Sequence, residues 1–151
     1  MVKALTEGDI FPELRLPTPG GTVFDLATLR GEHAIAVIFS GRAPNPAVER
    51  FVEGLRPLLG EFTAEGAKVI FITPPGSPLL PVLADLPVLT LFDEEGAAAR
   101  RVGAVDERGE PVPAAYLADR WYEVFDAQGE EDLSPDALLE WLRYVEIQCP
   151  E

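Results

Sequence analysis

Cysteine and histidine are almost missing from this chain, which has one of each, Cys149 and His33, in 151 residues. A single cysteine closes no intramolecular disulfide. A structural zinc site takes about four cysteine or histidine ligands, and these two residues stand over a hundred positions apart. Neither a metal nor a cofactor is expected. A serine or cysteine triad would need His33 as its base. That residue opens the run HAIAV, where a surface histidine is the ordinary outcome.

Basic residues are the second scarcity. Twelve Lys and Arg face 26 Asp and Glu, for a net charge of −14. A field of that sign repels phosphate backbones and anionic lipid, so neither nucleic acid nor a membrane is an expected partner. Residues 119–151 hold ten acids against Arg120 and Arg143. That excess reads as a solubilising face, with the docking of a basic partner as the other reading. Long apolar runs are lacking too. AIAVIF, residues 34–39, is far too short to span a bilayer. The opening MVKALTEGDI meets an acid by residue 7 and has no apolar core, so no secretory leader is expected and the location expected is cytoplasmic.

What is present suits one globular domain over residues 1–151, with 47% hydrophobic residues to build a core. ELRLPTPGGTVFDL alternates Leu14 and Leu16, turns at Pro19-Gly20-Gly21 and returns through Val23 and Phe24, the pattern of a hairpin. Asp25 starts a helical turn through Leu29, which Gly31 ends. Residues 34–40 and 67–73 are branched apolar runs, as expected of strands covered on both faces. Between them Val48, Phe51, Val52, Leu55, Leu59 and Phe62 recur every three or four residues, which predicts a helix over 46–63 kinked at Pro57. Strand, helix and strand with a short return make a right-handed parallel crossover. PPGSPLLP, 74–81, reads as a loop unable to hold a regular helix. Residues 87–92 predict a strand and 94–102 a helix. Residues 114–126 predict a strand, a tight turn near Asp119-Arg120 and a second strand. The segment 126–132 reads as a turn, without the spacing of a calcium loop. Ser134, Pro135 and Asp136 start a final helix to 147, with Leu138, Leu142 and Val145 as its buried stripe.

This order of elements resembles the thioredoxin-like fold: an α/β domain with a central mixed sheet flanked by helices and an N-terminal β-hairpin. GDIFPELRLPTPGGTVFDLATLRG is similar to the start of peroxiredoxins of the alkyl-hydroperoxide-reductase/thiol-specific-antioxidant family. Those open with Gly-Asp or Gly-x, a Pro-Asp/Glu-Phe/Leu, a short hairpin and Leu-x-x-Leu-Arg-Gly. LFDEEGAAARRVGA resembles their aspartate-bearing strand end and next helix, and VPAAYLAD with RWYEV their late strand pair. The resemblance implies a thiol-dependent antioxidant oxidoreductase or peroxidase.

The family's nucleophilic cysteine follows the first buried strand at a helix N-terminus, where free N–H groups and the dipole favour the thiolate. Here the loop runs Arg42, Ala43, Pro44, Asn45, Pro46, Ala47, Val48. A thioredoxin-style alignment sets Pro44 and Ala47 at the two cysteine positions; a peroxiredoxin-style alignment sets Val48 at the single one. Under either, the loop holds no cysteine, and Ser40 has no base beside it. Arg42, the loop's one charge, could face an anion at the helix start or simply solvent. Peroxiredoxins carry an arginine before the late strand; thioredoxins carry a cis-proline, and Pro113 stands at that place, which predicts a cis Val112–Pro113 bond against 44–47. Cys149, past the last helix and near Glu146 and Glu151, reads as a weak nucleophile and a passive thiol. Its position also suits a resolving cysteine that pairs with another chain, which would give a homodimer. Two functions follow. One is a redox-inactive protein that binds an unidentified protein or small molecule in a groove near residues 41–47, 74–77 and 113. The other is an oxidoreductase that uses Cys149 or a partner's thiol.

Overall fold

The structure, a computed structural model, describes residues 4–42 and 45–148. Seven strands and five α-helices are described. Strands β1 (Arg15–Pro17) and β2 (Val23–Asp25) form the antiparallel hairpin, with Leu16 opposite Phe24. Thr18 closes its turn by donating its N–H to the Thr22 carbonyl at 2.8 Å. The Asp25 carboxylate then accepts the Ala27 N–H at 2.9 Å and starts a 3-10 turn, Leu26–Leu29.

Strand β3 (Ala34–Phe39) is buried throughout because it is the middle of a five-stranded sheet ordered β5-β4-β3-β6-β7. Alternate side chains point to opposite faces. Ala34, Ala36 and Ile38 enter a core under α1 (Pro46–Leu55) and α5 (Pro135–Gln148). Ile35, Val37 and Phe39 enter a second core with Phe11, Leu26 and Tyr122. Strands β4 (Ala67–Thr73) and β5 (Leu89–Phe92) run parallel to β3, while β6 (Ala114–Ala118) and β7 (Val124–Gly129) run antiparallel to their neighbours. This mixed sheet between helices is the expected thioredoxin-like architecture.

Pro57 divides the long helix as expected. Helix α1 passes through a 3-10 turn, Arg56–Leu58, into α2 (Leu59–Ala64). Two expectations need correction. Residues 74–81 are not loop throughout: α3 (Leu80–Ala84) begins inside them, with Pro81 in its first turn, where a missing N–H costs nothing. Strand β7 also runs on to Gly129, so the turn before α5 is confined to Glu130–Asp132. Gln128 explains that extension. It is 5% exposed, and its amide bonds the N–H and the carbonyl of Ser134 at 2.9 and 3.1 Å. Helix α4 (Ala97–Val102) starts three residues later than expected. Helix α5 is capped by the Ser134 hydroxyl, which accepts the Ala137 N–H at 3.1 Å, and it buries Leu138, Leu142 and Val145.

Candidate functional site

The parallel strands β3, β4 and β5 all end at one edge of the sheet, the side where open α/β sheets bind ligands. Ser40 follows β3 and is 4% exposed; its Oγ lies 2.7 Å from Thr73 Oγ1 at the end of β4. Neither hydroxyl bonds a base among the described residues. His33 precedes β3 at its other end, roughly 20 Å away by strand rise, with Nδ1 3.0 Å from the Gly66 carbonyl oxygen. A hydroxyl without a base is no nucleophile. The Ser40–Thr73 pair satisfies itself and ties the two strand ends together.

The first turn of α1 has no backbone donor to spare. Pro46 lacks an N–H. Asn45 Oδ1 accepts those of Ala47 and Val48, at 2.8 and 3.3 Å, and the Asn45 carbonyl takes that of Glu49 at 3.1 Å. Asn45 is held in turn, its Nδ2 donating to Glu130 Oε2 at 2.7 Å. Arg42 is half-exposed and turns to Glu110, its Nε 3.4 Å from the carboxylate. It stays exposed to solvent in this surface pair. Val48, one candidate cysteine position, is buried beneath this turn. Ala47 stands beside it at the start of α1, whereas Ala43, Pro44 and Cys149 lie outside the described residues.

The proline expectation is corrected. No peptide bond among the described residues is cis, so Val112–Pro113 is trans. The physical reason is local. The Val112 N–H is spent on the Ala104 carbonyl at 3.0 Å, and the chain runs straight on into β6, a path that the commoner trans isomer follows. Pro113 still adjoins the loop. Gly41, at φ 75°, brings its backbone so close that a Cβ there would sit 3.0 Å from Pro113 Cδ. As a trans residue, Pro113 does not carry the thioredoxin landmark.

A cleft of about 350 Å³ opens between α1 and the segment leading into α3. Val48, Val52, Pro78, Leu79 and Val82 give it apolar walls. Ser40, Arg42, Asn45, Ser77, Glu49 and Glu53 supply its polar groups. Of the residues expected around a groove, 41–47, 74–77 and 113, this cleft is lined by Gly41, Arg42, Asn45 and Ser77. Pro113 does not line this cleft, and Pro74 lines a separate small cavity of about 20 Å³ with Thr73 and Asp93. Leu79 and Val82 were missed by sequence reasoning, although the apolar pairs in SPLLPVLA carry the signal.

The remaining polar features are structural. Asp93 directs its two carboxylate oxygens to the N–H groups of Ala98 and Ala99, each at 3.0 Å, and so caps α4. Burial pushes the Tyr116 and Tyr122 phenols up to about 12. The N–H groups of Glu110 and Arg108 hold the Asp106 carboxyl below the usual aspartate range. No group of three or more His, Cys, Asp or Glu side chains among the described residues is arranged to hold a metal ion.

A mixed β5-β4-β3-β6-β7 sheet between helices, with a leading hairpin, defines a thioredoxin-like fold. No family model and no curated protein matches the sequence. Solved structures do match. Peroxidoxin BcpB from Mycobacterium tuberculosis superposes with a TM-score of 0.78 at 23% identity, over 92% of this chain and 97% of that one. The bacterioferritin comigratory protein of Xanthomonas campestris, studied for alkyl peroxide reduction, gives 0.74 at 19%, over 95% and 97%. Mycobacterium tuberculosis AhpC gives 0.74 at 18%, over 99% and 96%. At these identities the likeness is one of fold.

Proposed function

We propose that the protein is a redox-inactive, peroxiredoxin-like binding or scaffold protein, with the cleft beside α1 as its binding site. The carrying observation is the closed first turn of α1. A peroxidatic thiolate in this fold is stabilised by unpaired helix N–H groups. Here Asn45 already takes those of Ala47 and Val48, and the side chains at 47 and 48 carry no sulfur. The cleft keeps its apolar walls and a mouth of polar groups, which is the usual make-up of a small-molecule site.

The other reading is a thiol-dependent peroxidase working through Cys149 or a partner's thiol. It draws on the peroxide chemistry of the Xanthomonas campestris neighbour. Peroxide consumption with thioredoxin and its reductant, measured on the wild type and on Cys149→Ser, separates the two. Both proteins are expected to stay at background. Turnover lost in Cys149→Ser would assign the chemistry to that thiol; turnover kept in it would assign the chemistry to the partner. Either result would overturn the proposal.

A further inference from the structure

Strand β4 carries one charge in an apolar run. Lys68 is exposed, whereas the rest of Ala67–Thr73 is buried. Its outer neighbour β5 begins late, with Leu89 opposite Ile70. Residues 67–69 therefore have β3 on one side and no strand on the other. This step in the sheet leaves a groove of about 480 Å³, roughly 17 Å by strand rise from Thr73 at the other end of β4. Phe24 and Leu29 on the hairpin side, with Val88 and Leu89 at the entry to β5, give it apolar walls.

Two donors belong to this groove. The first is backbone. The Ile72 carbonyl accepts the Ser40 N–H on the β3 side, and the Thr73 carbonyl accepts the Asp93 N–H on the β5 side, each at 3.1 Å. Successive residues of a central strand bond to opposite neighbours, so Val69, like Thr73, turns its N–H to the β5 side. The ladder has not begun there, and no acceptor among the described residues takes that N–H. Val69 is 6% exposed, and a backbone donor so placed is completed by solvent or by a ligand. The second donor is the Lys68 ammonium. Among the described residues Lys68 is the one charged residue on the lining, and it makes no hydrogen bond or ion pair. Charges flanking the lining are engaged: Asp25 with Arg15 at 3.6 Å, Arg30 with Glu13 at 3.0 Å, and Glu61 and Glu65 with Arg143. Asp85 stands off the lining.

We propose that this groove binds a monocarboxylate with an apolar chain, of the medium-chain fatty acid class. The carboxylate accepts the Val69 N–H and faces the Lys68 ammonium, and the chain lies over Phe24, Leu29, Val88 and Leu89. The volume falls in the ordinary range of ligand sites. The net charge of −14 opposes an anion at long range, but physiological salt screens exposed charges beyond about 8 Å. The two donors at the groove then decide the sign. This site is separate from the cleft beside α1 and does not depend on whether the chain has redox activity.

The test titrates octanoate, octanol and octylammonium into the full chain at 150 mM salt, followed by nuclear magnetic resonance. Octanoate is expected to shift the signals of Leu29, Val88 and Leu89 saturably and to move the Val69 amide proton downfield. It should bind about three- to fivefold tighter than octylammonium, the scale of one exposed ion pair. Lys68→Met keeps the apolar stem and removes the charge. With its thermal midpoint checked against wild type, it should bring that ratio close to one. Equal binding of all three probes by the wild type, tighter binding of octylammonium, a preference that survives Lys68→Met, or no shift at the groove would overturn the proposal.

Discussion

Helices α1 and α4 begin alike and differ in what closes them. Each follows a parallel strand at the same sheet edge, and in each one side chain holds two N–H groups of the first turn. In α4 that side chain is the Asp93 carboxylate, 8% exposed, with one oxygen on each N–H. In α1 it is the neutral Asn45 amide, near the surface, sharing a single oxygen between two donors. A helix start attracts an anion. Helix α4 satisfies this with an anion of its own, while α1 is closed by a group that carries no charge. The same backbone feature is thus used as an anion site in one place and silenced in the other.

Asp93→Ala should break the comparison most severely. It strips two charge-assisted hydrogen bonds from a buried turn, so a loss of about 2–3 kcal/mol is expected in urea unfolding. Asn45→Ala, near the surface, should cost about 1 kcal/mol by the same measurement. Equal losses would mean that burial and charge do not separate the two caps.

Val48→Cys in a Cys149→Ser background sharpens the point. With the N–H groups occupied and the side chain buried, the new thiol should titrate at or above about 8.5, the value of a free cysteine. Adding Asn45→Ala releases those donors and should lower it. The pH dependence of iodoacetamide alkylation reads both. A thiol well below the free value in the single variant would show that Asn45 does not silence the turn.

Asp126 supplies the smallest effect. Burial pushes its carboxyl up, against the Gln128 amide donor at 2.9 Å and the Ala127 N–H, and Glu7 and Asp132 add repulsion. A folded-state value above the unfolded one favours the protonated acid. Its contribution is complete below the ordinary aspartate range and is lost as pH rises through the folded value. Asp126→Asn should therefore melt slightly higher than wild type at pH 7, with the gap closing near pH 3. A variant that melts lower at pH 7 would contradict this.

What the sequence makes legible follows from where the physics is local. AIAVIF announces a strand covered on both faces, and Ser134-Pro135-Asp136 announces a helix start, because burial and capping leave marks in neighbouring residues. Helix α3 was hidden because Pro78 and Pro81 look like breakers, while Pro81 is harmless in a first turn. The end of β7 was hidden because Asp126, Gln128 and Gly129 read as polar turn, although Gln128 is buried by bonds to Ser134. In the candidate site, the missing cysteine and the apolar Val48 were plain. The second wall, Leu79 and Val82, depends on how the chain returns from β4. Pro113 lies against Gly41, and its isomer is set by the surrounding fold and not by its identity.

Tyr122 has a consequence for how the chain is made. Its hydroxyl donates to the Leu26 carbonyl, 96 residues earlier, and its own carbonyl accepts the Phe11 N–H at 2.7 Å. Two residues on, Val124 exchanges hydrogen bonds with Gly8 and Asp9 at 2.9 and 2.8 Å. Residues 8–26 are thus fastened to a turn that is made 96 residues after Leu26. Until then Phe11 and Leu26 lack their place in the second core. A nascent chain stopped before Tyr122 keeps its N-terminal hairpin undocked and open to proteases, and release of the β6–β7 turn closes it. Such distant closures are slow to form, so docking of the hairpin waits on the β6–β7 turn.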